Sequence, residues 1–199
     1  MAEPAAAADS LRSAPLAAEP QAVGRHSMRR LAWLGVAVVG LGATLGVANI
    51  SSAPIPGGVT ADRVLIEKAP RQLTLLRGGT RLKTYHVALG RQPVGDKVRQ
   101  GDNRTPEGVF AIDQRNARST FHRALHVSYP DAAHSARAKE LGVDPGGDIM
   151  IHGIRNGLGW LGSLHRLADW TAGCVALTNP EIEEVWRAVP DGTPVEIRP

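Results

Sequence analysis

Cys174 is the only cysteine in 199 residues, and it stands in the stretch "DWTAGCVALTN" at 169–179. Its surroundings leave four jobs open: a buried packing residue, a lipid attachment point, a metal ligand or a nucleophile. A thiol attacks only as thiolate, so the nucleophile reading requires a base or a positive charge beside it. Histidine is the usual supplier, and the chain has seven. His152 has the most suitable placing, because it ends the apolar run "DIMIH" and is followed by Gly153, where its ring would emerge at a rigid strand end. Gly173 has a matching logic before Cys174: without a side chain the backbone can approach a substrate carbonyl, and successive N–H groups there could form an oxyanion hole.

Each residue also has a plainer reading. A lone histidine on an apolar strand commonly packs, and a lone cysteine commonly behaves as a small hydrophobe. The metal reading rests on His122 and His126 in "HRALH" and on His165 with Asp169, both at a spacing that could hold zinc on a helix. The glutamate of the helical zinc-protease pattern is missing from the first pair, and "ALHVSY" reads as a strand, so no metal and no cofactor is expected. Asp102, Arg104 and Ser119 are candidates for a groove wall, with solvated loop as the better reading. Trp160 and Trp170 flank the cysteine region as groove wall or core.

The elements that would position Cys174 and His152 are mostly β. Twenty-two glycines, fourteen prolines and 4% aromatic residues favour a turn-rich fold, and 43% hydrophobic content supplies one core. "RVLIEK" (63–68), "QLTLLR" (72–77) and "RLKTYHVAL" (81–89) read as strands separated by turn residues. The sequence 90–108 forms a long polar loop before "VFAI". Strands are expected at 124–129 and 148–153, a short helix at 131–142 capped by Asp131, and the strongest helix at 179–192. Asn179 is the expected cap there, with Pro180 in the first turn and Glu181, Glu183 and Glu184 at the positive end of the dipole. "TPVEIRP" closes with a strand.

Leu31–Ile50 is a charge-free apolar run of twenty residues preceded by Arg29 and Arg30, which is the pattern of export or membrane insertion. The organisation expected is therefore a disordered Ala/Pro-rich tail at 1–27 (or a start at Met28), a signal peptide or anchor at 28–50, a linker at 51–61 and a folded domain at 62–199. That domain would lie in the periplasm or cell envelope, tethered to the membrane if the apolar segment is uncleaved. Exported proteins use cysteines in pairs, so an unpaired one there points to a reactive thiol. Lipidation of Cys174 is excluded, since a lipid box must follow the apolar segment directly. The net charge of +4 has no dense basic run behind it, so nucleic acid is not an expected partner; an anionic polymer suits it as well.

"IHG" (151–153), "TAGC" (171–174) and "TPEG" (105–108) with "VFAI" following resemble, in this order, the L,D-transpeptidase catalytic domain, the YkuD domain. The resemblance covers roughly residues 62–198. It implies an L,D-transpeptidase-type β-sandwich around a substrate groove, with Cys174 as nucleophile and His152 as base. The carbonyl of Gly153 would steady the ring, and amides near Cys174, with Thr171 in place of the family's serine, would serve the oxyanion. The substrates implied are meso-diaminopimelate-type peptidoglycan stem peptides, with a wall-linked lipoprotein as a further acceptor. Ala176 stands where the family commonly has arginine. The same Cys–His pair would support a carboxypeptidase or hydrolase of these peptides or of murein–lipoprotein links. More distant readings are a zinc peptidase of the wall and a non-catalytic wall-binding module.

Overall fold

Alternation governs the first strands. In β1 (Arg63–Glu67) and β2 (Gln72–Arg77), Val64, Ile66, Leu73 and Leu75 all point inward and are buried. β8 (Pro194–Arg198) joins β1 in parallel register, Val64 beside Val195 and Ile66 beside Ile197, so both strands bury the same face. β3 (Thr80–His86) continues the meander from β2. The remaining strands are β4 (Gly108–Asn116), β5 (Ala124–Val127), β6 (Met150–His152) and β7 (Val175–Ala176). These coordinates are a computed structural model, and the structure describes residues 53–199. The tail and the apolar segment Leu31–Ile50 expected from the sequence lie outside the described residues. Among the described residues, no helix is long and apolar enough to cross a membrane.

The eight strands form one sheet in the order β3-β2-β1-β8-β4-β5-β6-β7. β4 makes it bend. Its first half pairs with β8 and its second with β5, and Asp113 is the extra residue where the register shifts between Ile112 and Gln114. A bulge of this kind increases local twist and re-aims the strand. The two ends of the sheet then meet: Ala88, just past β3, exchanges both backbone hydrogen bonds with Ala176 of β7, at 3.0 and 2.8 Å. The expected β-sandwich is thus a single sheet curled over one core.

Two helices pack on this frame. α1 (Ala132–Glu140) starts at Asp131, whose carboxylate accepts from the His134 N–H at 2.8 Å, and it stops before Gly142, at φ 65°. α2 (Asn179–Ala188) sends Ile182 and Val185 into the core, each contributing about 1.5–3 kcal/mol over an exposed position. Its cap is Thr178 rather than Asn179. Glu181 closes a capping box by accepting from the Thr178 N–H and hydroxyl at 3.0 and 2.8 Å. Only Glu181 serves the helix end. Glu183 binds His122 and Arg123, while Glu184 binds Lys83 at 2.6 Å and the Ile55 N–H. Through Ile55, part of the segment read as a linker packs onto the domain.

Candidate functional site

The strands that position the candidate pair are the shortest among the described residues. β6 and β7 are parallel neighbours, with Ile151 opposite Val175 and His152 opposite Ala176. Cys174 directly precedes β7, so it and His152 lie diagonally across adjacent strands. Both line one groove of about 960 Å³. Ala124 of β5 flanks His152 on the other side, so the imidazole stands between two alanines, with aromatic rings over it instead. Phe121 lies 4.7 Å from the His152 ring and Trp170 5.7 Å, centroid to centroid. Ala176 is fully buried beside the imidazole, so nothing at this position reaches the groove as a cation.

His152 Nδ1 lies 2.7 Å from the carbonyl of Gly153. A carbonyl only accepts, so Nδ1 carries the proton and Nε2 keeps its lone pair. Burial holds the imidazole pKa below its usual value, with the Gly153 bond opposing in part. Cys174 is half-buried. Burial pushes its thiol pKa up, assisted by the negative charge of Asp148 and opposed by the Met150 N–H and Lys97. The thiol donates weakly to the Asp148 carbonyl at 3.5 Å. At rest the pair is a neutral thiol and a neutral imidazole, not the lowered thiol pKa that the sequence argument required.

Gly153 has little choice of residue. A Cβ there would lie 2.9 Å from Asn179 Oδ1 and 3.0 Å from Ile182 Cγ2. Since Thr178 caps α2, the Asn179 amide is free to accept the Ile154 N–H at 2.9 Å, which pins the backbone just after His152. The sequence reading missed this residue as a positioning group because its cap-like context explained it already.

The turn before Cys174 is stitched on both sides. Thr171 exchanges backbone bonds with Leu89 and Arg91, each at 3.1 Å. Its hydroxyl donates to the Cys174 carbonyl at 2.7 Å and accepts from the Gly173 N–H at 3.1 Å. Gly173 has φ 140°, and a Cβ there would stand 2.6 Å from the Arg104 carbonyl. Its visible contribution is therefore steric, and its N–H is engaged within the turn.

The polar loop 90–108 forms the floor under this turn. Asp102 organises it, accepting from Lys97, Val98, Arg99 and Arg104 at 2.8–3.1 Å. Burial opposes its charge, yet these donors hold its pKa down to about 2. Buried Lys68 ties Gly95, Thr105 and Glu107, and the Thr105 hydroxyl accepts from Gly90 at 3.0 Å. The "TPEG" stretch supports the site without lining it. Of the three uncertain wall residues, Ser119 lines the groove and Asp102 and Arg104 do not. Trp170 lines it as well, whereas Trp160 is largely exposed outside it.

The histidines weighed as zinc ligands point elsewhere. His122 binds Glu183, His126 binds Asp113, and Asp169 binds Arg71 and the Leu89 N–H. Among the described residues, no three metal-ligating side chains cluster. His165 sits in a 3-10 segment, Gly159–Leu167, that the sequence reading left unassigned. It lines the groove and accepts the Trp170 indole N–H at 3.3 Å. Burial, with the charge of Arg166, pushes its pKa down to about 4.

The curled sheet thus holds a thiol and an imidazole in one groove. The chain belongs to the YkuD family, the L,D-transpeptidase catalytic domain, whose family model matches residues 61–197. It is 27% identical over 110 residues to the putative L,D-transpeptidase YafK of Escherichia coli K12, an alignment covering 54% of this chain and 37% of that protein. Among solved structures it is similar to the helical cell shape determining protein Pgp2 from Campylobacter jejuni, with a TM-score of 0.54 at 22% identity, covering 77% of this chain and 53% of that one. It is also similar to an L,D-transpeptidase from Mycobacterium smegmatis, with a TM-score of 0.44 at 14% identity, over 68% of this chain and 58% of that one. The chain thus spans just over a third of its curated relative's length and about half of Pgp2.

Proposed function

We propose that this domain is a peptidoglycan L,D-transpeptidase working through a thioester on Cys174, exported to the periplasm or cell envelope by its apolar N-terminal segment. The observation that carries the reading is the placing of Cys174 and His152 on adjacent parallel strands in one groove, with His152 Nδ1 committed to Gly153 and its other nitrogen left basic. His152 Nε2 takes the thiol proton as Cys174 Sγ attacks the carbonyl at the L-centre of a meso-diaminopimelate residue. The N–H groups of Cys174 and Gly173 take the developing oxyanion, the latter loosening its bond to Thr171. The His152 proton passes to the departing amine, and a thioester remains on Cys174. An amine of a second stem peptide, or of a wall-linked lipoprotein, then resolves it, while water resolves it as a carboxypeptidase would.

Mass spectrometry of murein stem peptides incubated with residues 51–199 tests the reading: 3-3 linked dimers mean transfer, and shortened monomers mean hydrolysis. The Cys174→Ala variant should form no acyl-enzyme and turn over neither. Turnover by that variant removes Cys174 from the chemistry.

A further inference from the structure

Among the groove-lining side chains, Asp148 is the one carboxylate. The same lining carries three cations, Arg91, Arg118 and Arg155, whose guanidinium groups have no partner among the described residues. Asp148 is exposed, and its carboxylate likewise has no hydrogen-bond or ion-pair partner there. It lies next to the nucleophile, since its own carbonyl receives the Cys174 thiol at 3.5 Å.

Two costs attach to this residue. Its backbone is held at φ 53°, a left-handed conformation that L side chains other than Asn and Asp rarely adopt. Its charge also disfavours the Cys174 thiolate, so in the empty groove it works against the nucleophile. A carboxylate that hinders the nucleophile while facing an open, otherwise cationic groove is suited to a positively charged group of the substrate.

We propose that Asp148 is the ammonium-binding residue of the groove, holding a primary ammonium of an amine-bearing peptide beside Cys174 while the rim arginines face that peptide's carboxylates. The inference rests on the proposed function and deepens it: the substrate is an amine-bearing, carboxylate-bearing peptide, as diaminopimelate stems are. Neutralising Asp148 with a bound ammonium also lifts its hindrance of the thiol, so the correct substrate favours the reactive state of Cys174. The Asp148 field is thus a ground-state device relieved by docking.

The test is Asp148→Asn, which keeps the shape and accepts the left-handed backbone. Two readouts should move in opposite directions. Alkylation of Cys174 by iodoacetamide at neutral pH should become several-fold faster. For a tetrapeptide stem with a free side-chain amine, kcat/KM should fall about tenfold, mainly through KM. The same peptide with that amine acetylated should be a poor substrate, equally so for both proteins. A loss confined to amine transfer assigns the ammonium to the acceptor; a loss in hydrolysis of the donor alone assigns it to the donor. If the variant keeps the wild-type preference for free over acetylated amine, the ammonium site is overturned and the proposed function stands. If the wild-type protein forms no acyl-enzyme with either peptide, both fall.

Discussion

The two halves of the curled sheet are built differently. The β3-β2-β1-β8 half has strands of five to seven residues in long ladders, interrupted only by a register shift between Leu75 and Leu76, with in-out alternation clearest in β1 and β8. The β5-β6-β7 half has strands of four, three and two residues, and it holds the whole candidate site. Long ladders over a buried face supply stability. Short strands cannot supply much, and the site half is held instead by individual ties: the Asn179 amide on Ile154, the Thr171 hydroxyl on Cys174, and the polar loop under Gly173. Positioning and stability are therefore separable here. Substitutions in the first half should cost stability with little effect on rate, and those in the second should cost rate whatever they cost in stability.

Gly173→Ala should have the largest effect. The added Cβ meets backbone at 2.6 Å and the residue sits at φ 140°, so neither side can yield cheaply. The cost in stability should be about 3 kcal/mol, and acyl-enzyme formation should fall by at least two orders of magnitude, because the turn that aims Cys174 must move. Single-turnover acylation and a thermal melt check both. A fully active Gly173→Ala protein would break the idea that this turn is sterically fixed.

Leu73→Ala is the counterpart in the first half. It deletes a fully buried side chain that does not line the groove, so stability should fall by about 2–5 kcal/mol while kcat/KM of the folded fraction stays within about twofold. Denaturant unfolding measures the first and steady-state kinetics the second. A large kinetic loss there would show that the halves are coupled through the bulge in β4.

The same division explains what the sequence made legible. β1, β2 and β8 could be read from alternation, and α1 from its Asp131 cap and Gly142 stop, because a local rule decides each of them. Cys174 and His152 were legible by residue type and through the family resemblance. Local rules failed where a residue has two possible partners. Asn179 looked like a helix cap, but Thr178, with Glu181, completes the better box, and the amide went to the His152 loop. The segment 148–153 looked like a full strand, yet only Met150–His152 pairs, and Asp148 turns left-handed beside the thiol. His165 drew attention only through its zinc-like spacing to Asp169; its groove position gave no signal, since it depends on a 3-10 kink at Gly162 that has no periodic pattern. Tertiary competition for the same polar group decided each of these.

Asn179→Ala sharpens the comparison on a smaller scale. It should leave the capping box intact and remove only the acceptor of the Ile154 N–H. The expected cost is about 1 kcal/mol in stability, but about tenfold in kcat with KM unchanged, since His152 loses its fixed backbone. Asn179→Asp, which keeps an acceptor oxygen, should recover most of the rate. Equal losses in both variants would assign Asn179 to packing alone.

The smallest effect is in the pH dependence of stability, and its sign differs between regions. His152 and His165, in the site half, have folded pKa values below the unfolded value, the latter at about 4. The unfolded chain therefore binds protons there first, and stability is lost as pH falls below about 6.5. His134, on α1 outside the groove, behaves oppositely. Burial disfavours its charge, but the hydrogen bonds its ring donates to Asp131 and Asp96, with their negative charges, outweigh that and raise its pKa. Its contribution is complete below the unfolded value and is lost as pH rises through the folded one. His134→Gln should therefore flatten the alkaline side of a melting-temperature profile and leave the loss that begins below about 6.5 unchanged, the Asp131 carboxylate, which owes part of its lowered pKa to the His134 side chain, responding only at lower pH. Flattening of the acid side instead would mean that the groove histidines are not the ones losing stability there, and that the neutral resting state of the Cys174–His152 pair must be reconsidered.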